Sequence, residues 1–237
     1  LVGLEGAVEH RKVLGLDTLD MYDLYNPLVP ECRMEISWDE AVKTVTEALR
    51  PLGDEYVETM KKAFSERWID VRECRGKRSG AYSSGCYDSP PYILMNFNGS
   101  LNDMFTLAHE LGHSMHSHYS NKAQPYHYAD YRIFVAEVAS ITNELLLHDH
   151  LMRNTTDKKV RLHLLTHLAD ETRGTVFRQT MFSEFEKAIH QMSEESEPLT
   201  ADALCDLYQD LNSKYHGPPV RADKRIRLEW ARIPHFY

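Results

Sequence analysis

The pentapeptide His109-Glu110-Leu111-Gly112-His113 constrains this chain more than any other sequence feature. In an α-helix, positions i and i+4 lie on one face about a turn apart, so both imidazoles can bind the same metal ion. Glu110 lies ~100° around the same helix, within reach of a water molecule at that metal. The pentapeptide therefore predicts a helix that carries two metal ligands and a candidate general base.

The residues around the pentapeptide predict a helix over about residues 101–120. Ser100 is a candidate N-cap, and Asp103 can complete a variant of the capping box. His116 and His118 lie at positions unsuited to a third ligand on the same helix. The opposite side of the helix would pack on a core, because it is an apolar stripe of Leu101, Met104, Phe105, Ala108, Leu111, Gly112 and Met115. The alternative for the histidines is an ordinary solvated face.

Glu137 is the candidate third ligand. It lies in a stretch without Gly or Pro that predicts a helix over about residues 131–153. An ionised carboxylate among its apolar neighbours is costly unless a cation compensates it, and a metal would do so. Glu144 or Ser140 could orient a ligand histidine. The alternative for Glu137 is a carboxylate that is solvated or paired with a basic side chain.

Several segments, in the order in which they occur, resemble the oligoendopeptidase F branch of the thimet-oligopeptidase family. The resemblance extends from about Tyr22 to the last residue. These segments are Gly76-Lys77-Arg78-Ser79-Gly80-Ala81-Tyr82-Ser83, Asn96-Phe97-Asn98-Gly99-Ser100, His109-Glu110-Leu111-Gly112-His113-Ser114-Met115-His116, Ala136-Glu137-Val138-Ala139-Ser140 and Arg232-Ile233-Pro234-His235-Phe236-Tyr237.

The resemblance implies a cytoplasmic zinc peptidase that cuts oligopeptides. One Zn²⁺ would be bound by His109, His113 and Glu137, with Glu110 as general base, in agreement with the physical argument. The resemblance also implies that His235 stabilises the oxyanion of the tetrahedral intermediate. Family members are longer at both ends, and this chain begins at Leu1 without Met. We therefore expect residues 1–237 to be part of a catalytic domain that continues beyond both ends.

The expected fold class is mainly α, a helical zincin-like peptidase domain with a small β-sheet beside the metal helix. Besides the two helices above, the sequence predicts helices at about 37–50, 54–69, 157–193 with an interruption near Gly174, and 200–217. It predicts strands at residues 79–84 and 92–97. The secondary structure of the tail from Arg221 is ambiguous. The edge of one of these strands could bind an extended peptide.

Composition narrows the possible partners. The net charge of −9 argues against nucleic-acid binding by a basic face. No apolar stretch approaches the ~20 residues of a membrane span. Cys32, Cys74, Cys86 and Cys205 fit no paired metal motif and suit a reducing compartment.

Two other functions are compatible with these residues. One is a zinc-stabilised helical binding module without catalysis, which would need a fourth protein ligand for a closed site. The other is a secreted zinc protease of thermolysin type, against which the cysteines and the absence of Ca²⁺-loop signatures argue.

Overall fold

The computed structural model of the protein describes residues 4–29 and 34–236, so Cys32 and Tyr237 lie outside the described residues. The helices are α1 (Leu4–Leu14), α2 (Trp38–Ala48), α3 (Asp54–Ser65), α4 (Leu101–Ala123), α5 (Tyr126–Ala129), α6 (Ala136–Asn154), α7 (Lys158–Thr172), α8 (Arg178–Glu194) and α9 (Ala201–His216). The strands are β1 (Leu19–Asp20), β2 (Ile69–Asp70), β3 (Tyr82–Ser84), β4 (Tyr92–Leu94) and β5 (Val220–Arg221). The expected mainly helical fold is confirmed.

Side-chain caps fix the starts of three helices where the sequence predicts them. Ser37 and Glu40 form a capping box at the start of α2. Ser100 and Asp103 form the same arrangement at α4, where each satisfies a backbone amide of the other. Thr200 caps α9, which ends before Gly217 at a positive φ of 68°. The N-cap of α4 thus lies nine residues before His109.

A three-stranded sheet lies beside α4, as expected. Its order is β2-β4-β3, with β2 parallel and β3 antiparallel to the central β4. β3 also contacts α4, and the Ser83 and Ser114 hydroxyls lie 2.7 Å apart. β2 was not predicted, since two residues carry no alternation pattern. Among the described strands, β3 therefore forms one edge of the sheet, next to the metal helix.

Contacts divide the chain into two compact units. One unit combines the described residues up to Val29 with those from Leu162 onward. The other contains the described residues from Met34 to Arg161. In the latter, α4 packs most extensively on α6 and also contacts α2, α3 and the sheet. The whole predicted apolar stripe of α4 is buried. The assignment of all 237 residues to one catalytic domain remains a prediction.

The unit formed by the two ends of the chain has its own core. Met181, Phe185, Tyr208 and Leu211 form a cluster between α8 and α9. Leu19, Leu24 and Val220 form a second cluster where β1 pairs in parallel with β5. The predicted interruption near Gly174 is a π-helical segment, Arg173–Phe177, between α7 and α8. The tail forms 3₁₀ turns at Ile226–Arg232 and Pro234–Phe236.

Across the described residues, no helix has the length and apolar character needed to cross a membrane.

Candidate metal centre

The close approach of α4 and α6 creates the candidate metal centre. Gly112 makes this approach possible, because a Cβ atom at its position would lie 2.5 Å from Ser140 Cα and 2.8 Å from the Ala139 carbonyl oxygen. Both contacts are shorter than any side chain tolerates. The glycine of the pentapeptide thus has a packing role, and it brings the first turn of α6 beside the two histidines of α4.

The three candidate ligand atoms form a nearly regular triangle. His109 Nε2 and His113 Nε2 lie 3.1 Å apart. Glu137 Oε2 lies 3.4 Å from each of these nitrogens. Within the part of the chain that the structure describes, these residues form a group that could hold a metal ion. The predicted ligand set is therefore brought together in space.

This triangle fits a tetrahedral zinc ion. Zinc bonds of about 2.0–2.1 Å place neighbouring ligand atoms of a tetrahedron about 3.3–3.4 Å apart, close to the three distances above. Two imidazoles and one carboxylate are also a donor set that zinc peptidases use. With three protein ligands, a tetrahedral ion keeps one position open, which is the arrangement of a catalytic site rather than a structural one.

Each of the two histidines has a further hydrogen-bond partner besides the other histidine. His109 Nδ1 hydrogen-bonds Glu144 Oε1, which leaves Nε2 free to bind a metal. Burial acts to lower the pKa of His109, but the hydrogen bond and charge of Glu144, with the charges of Glu110 and Glu137, outweigh it and raise the pKa. His113 hydrogen-bonds the backbone of Ala136, while burial lowers its pKa.

Glu137 corrects one premise of the sequence analysis. Its side chain is 53% exposed rather than enclosed by apolar neighbours, because the first turn of α6 faces a cleft. Its assignment as a ligand therefore depends on its distance from the histidines. Ser140 orients this carboxylate, with its hydroxyl 2.6 Å from Glu137 Oε2, and does not contact a histidine. Of the two residues considered for orienting a ligand histidine, Glu144 is the one that hydrogen-bonds a candidate ligand histidine among the described residues.

Glu110 lies in the interior, beside the ligands. It is 6% exposed, and its Oε2 atom has no hydrogen-bond partner within the described residues. Burial raises the pKa of this carboxyl, and the charges of Glu137 and Glu144 raise it further. The charge of His109 and a hydrogen bond with the Ser83 backbone lower it, but by less. A buried carboxylate oxygen without a partner is costly, so this geometry suits a group that acts on a bound molecule.

A cleft of about 850 Å³ opens beside the metal centre. His113 and Glu137 line one part of it, so the cleft is continuous with the ligands. Ser83 and Ser84 place the edge strand β3 along one wall, which supports the first of the two strands considered for peptide binding. Residues between α5 and α6 also line the cleft.

The remaining histidines differ in their surroundings. His116 stacks on Tyr131 with ring centroids 3.7 Å apart and planes at 9°, and burial lowers its pKa. His118 lies near Trp68, where burial also lowers its pKa. As expected, neither joins the metal group. His235 is exposed, in the 3₁₀ turn of the other unit.

Sequence reasoning missed the network that holds α3, α4 and α6 together. The Tyr56 hydroxyl donates to Asn143 Oδ1 at 3.1 Å, and Asn143 Nδ2 donates to the Ala108 carbonyl at 3.0 Å. Asn143 is 1% exposed. The sequence offered little signal for this network, because Asn143 stands between Thr142 and Glu144 and nothing in its spacing marks it as buried.

Known proteins resemble this chain. The model of peptidase family M3 matches residues 5–237. The chain belongs to peptidase family M3. Two relatives confirm the resemblance to the oligoendopeptidase F branch. Oligopeptidase PepF of Bacillus subtilis is 54% identical to this chain over 96% of its length. The chromosomal oligoendopeptidase F of Lactococcus lactis subsp. cremoris is 48% identical over 96% of this chain.

A solved structure also matches this M3 chain. The oligoendopeptidase-F structure from Enterococcus faecium has a TM-score of 0.63 and 35% identity, and the match covers 98% of this chain and 33% of that one. The chain spans 34% of the Bacillus relative and 38% of the Lactococcus relative. The family and the fold are thus established for a region that corresponds to about a third to two fifths of its relatives.

Proposed function

We propose that the complete protein is a zinc-dependent endopeptidase that hydrolyses internal peptide bonds of oligopeptides. The observation that carries the proposal is the triangle of His109, His113 and Glu137 ligand atoms, 3.1–3.4 Å apart, beside a buried Glu110 with a partnerless oxygen. The names of the M3 relatives, an oligopeptidase and an oligoendopeptidase, support the substrate class.

The residues would divide the reaction between them. His109, His113 and Glu137 would hold the zinc, which when bound polarises the scissile carbonyl and acidifies a water molecule. Glu110 accepts the proton of the attacking water and passes it to the amine that leaves. Glu144 and Ser140 keep the ligand side chains in place. His235 would donate to the developing oxyanion.

The edge of β3 supplies a binding mode for the substrate. Its outer side has no strand partner among the described residues, and Ser83 and Ser84 line the cleft. An extended peptide could add to this edge through backbone hydrogen bonds, which are independent of peptide sequence. Because the relatives are named an oligopeptidase and an oligoendopeptidase, we expect short flexible peptides to be cleaved and native globular proteins to resist.

A cytoplasmic location completes the proposal. Cys74, Cys86 and Cys205 are free thiols. Free thiols persist in reducing compartments. Fractionation of cells that produce the complete protein tests this part.

The decisive experiment is Glu110→Gln in the complete protein, assayed with a quenched fluorescent peptide and analysed for zinc. The amide keeps the shape but cannot accept a proton, so we expect kcat to fall by about 10²–10⁴ with zinc content unchanged. Glu66→Gln, at an exposed position after α3, is the matched control and should retain full turnover.

The outcomes separate the alternatives. Near-normal turnover by the Glu110 variant would exclude its role as general base. A wild-type protein that binds zinc tightly but cleaves no member of a mixed peptide pool would favour the non-catalytic binding module. Loss of cleavage on chelation, with recovery on addition of zinc, would establish the metal requirement.

A further inference from the structure

We propose that the cleft beside the metal centre contains a pocket for an uncharged aromatic side chain of the peptide, with Tyr131 as its wall and His116 as the residue that positions Tyr131. This inference depends on the proposed function for its substrate class. It assigns roles to an aromatic wall and to a histidine that the metal centre does not use.

The cleft extends away from the metal along α4. His113, Ser117 and Asn121 all line it, at positions i, i+4 and i+8 of the helix. Eight residues of helix correspond to about 12 Å, the length of three to four residues of extended peptide. The cleft therefore offers room for side chains several positions from the bond that is cut.

Tyr131 is held rigidly in this cleft. Its ring stacks on His116 at 3.7 Å with an angle of 9°. Its hydroxyl lies 3.0 Å from the Ser117 hydroxyl, one turn of α4 beyond the metal ligand. Two contacts in different directions fix both the plane and the rotation of the ring, so Tyr131 presents a preformed flat surface at little entropic cost.

His116 explains the orientation of that surface. Its Nδ1 atom is buried without a hydrogen-bond partner in the described region. The contact that the ring does make on this side is its stacking on Tyr131. It lies on α4 three residues after His113 and behind Tyr131. His116 is therefore a positioning residue, which acts on substrate only through Tyr131.

The chemistry of the walls favours an uncharged aromatic partner. Besides Tyr131, the cleft is lined by Tyr87 and Tyr126, whose rings meet edge to face at 5.6 Å. Asp130 and Arg132 carry opposite charges, and Glu137 would be engaged by the metal, so the lining favours neither a cation nor an anion. Ring faces and edges attract another aromatic ring more than an aliphatic chain of similar size.

The test uses quenched fluorescent peptides in which a single Phe is moved along an otherwise Ala-based sequence. We expect wild-type kcat/KM to rise by about tenfold or more when Phe reaches one register, relative to the peptide with Ala there. Tyr131→Ala should abolish this preference, so that kcat/KM for the Phe peptide falls to the value for the Ala peptide. Tyr131→Phe should keep it, since the ring remains.

His116 variants test positioning. His116→Ala should reduce the preference for Phe, and His116→Phe should restore it by keeping a ring under Tyr131. Tyr92→Ala removes a half-exposed tyrosine from β4, outside the cleft, and should leave the preference unchanged. Tyr131→Leu, which keeps more volume, replaces the Ala variant if the latter loses zinc or folds poorly.

The proposal is wrong if no register favours Phe, or if the Tyr131 variants weaken cleavage of Phe and Ala peptides equally. Failure of the proposed function gives a different result, namely no cleavage of any peptide by wild type. In that case, the dissociation constants of the same peptides for zinc-loaded Glu110→Gln decide. Tighter binding of a Phe peptide, lost in Tyr131→Ala, supports the pocket, and equal binding of Phe and Ala peptides overturns it.

Discussion

Glu144 contacts the candidate ligand His109 without belonging to the candidate ligand set. An ionised carboxylate can only accept, so Glu144 would favour the tautomer that carries its proton on His109 Nδ1 and leaves Nε2 facing the other candidate ligand atoms. The sequence predicts this role, because Glu144 follows Glu137 by seven residues and so shares its helix face. It did not distinguish the role of Ser140, because spacing alone cannot say whether a hydroxyl bonds a histidine or the neighbouring carboxylate.

We expect Glu144→Ala to weaken zinc affinity about 10–100-fold, the usual effect of removing a partner of a metal-bound histidine. Glu144→Gln keeps an acceptor and should have a smaller effect. Competition with a chromophoric chelator measures the affinities. Asp149→Asn, on the exposed side of α6, provides the control. Unchanged affinity in Glu144→Ala would show that Glu144 does not orient His109.

His235 is the site residue that the sequence analysis supports only by resemblance. Its segment is anchored rather than frayed, since Ile233 is buried and the Phe236 ring lies 4.9 Å from that of Phe185. If His235 donates to the oxyanion, His235→Ala in the complete protein should lower kcat by about 10²–10³ with little change in KM. His190→Ala, at an exposed position of α8, is the control. Full kcat in His235→Ala would exclude the role.

At the scale of elements, the contact between α4 and α6 decides whether the site exists. Isolated helix propensity favours Ala over Gly by about 1 kcal/mol. At Gly112 the added Cβ would meet backbone atoms of α6 that cannot yield, so steric cost outweighs propensity. Gly174 gives the opposite case, because a Cβ there meets nothing within 4 Å.

Gly112→Ala should therefore destabilise the protein by about 1–3 kcal/mol and weaken zinc binding, as α6 and Glu137 move away from the histidines. Gly174→Ala, the matched control, should be neutral or stabilising by up to about 1 kcal/mol. Urea unfolding and zinc titration of both variants measure these effects. Equal stabilities would mean that α4 and α6 can adjust without cost.

The elements differ in how far the sequence predicts them. Capping residues at Ser37 and Ser100 gave two helix starts correctly, since a cap is a local interaction between neighbours in sequence. β2 was missed, because its two residues become a strand only through pairing with β4. The region near Gly174 was expected to interrupt the helix and instead continues it as a π-helical segment, which no local residue pattern specifies.

At the scale of the whole molecule, the sequence could not predict how the two chain ends combine. Leu19 pairs with Val220 in a two-residue parallel ladder, and Arg221 makes a bidentate ion pair with Asp20 across 201 positions. Such short strands carry no periodic signal, and their pairing depends on contacts distant in sequence. The unit they form also contains a histidine whose titration links its stability to pH.

Burial, with the charges of Arg173 and Arg178, lowers the pKa of His216 to about 4. An unfolded chain restores this pKa to about 6.5, so between these values the unfolded state binds more protons than the folded state. His216 therefore favours folding fully above about pH 6.5, and this contribution is lost as pH falls toward 4. Allowing for partial exposure, we expect a loss of about 1–3 kcal/mol over that range.

The free energies of unfolding of wild type and His216→Gln, measured with urea at pH 7, 6 and 5, check this expectation. The variant cannot titrate at this position, so its stability should fall less steeply with acid, and the difference between the two proteins should grow from pH 7 to pH 5. His190→Gln, at an exposed position of α8, removes one histidine without removing a buried one. Parallel pH dependences for wild type and His216→Gln would show that His216 is not buried in its neutral form. Acidic groups such as Glu40, whose pKa is lowered by hydrogen bonds from the Ser37 side chain and backbone, affect all three proteins alike and cancel in the comparison.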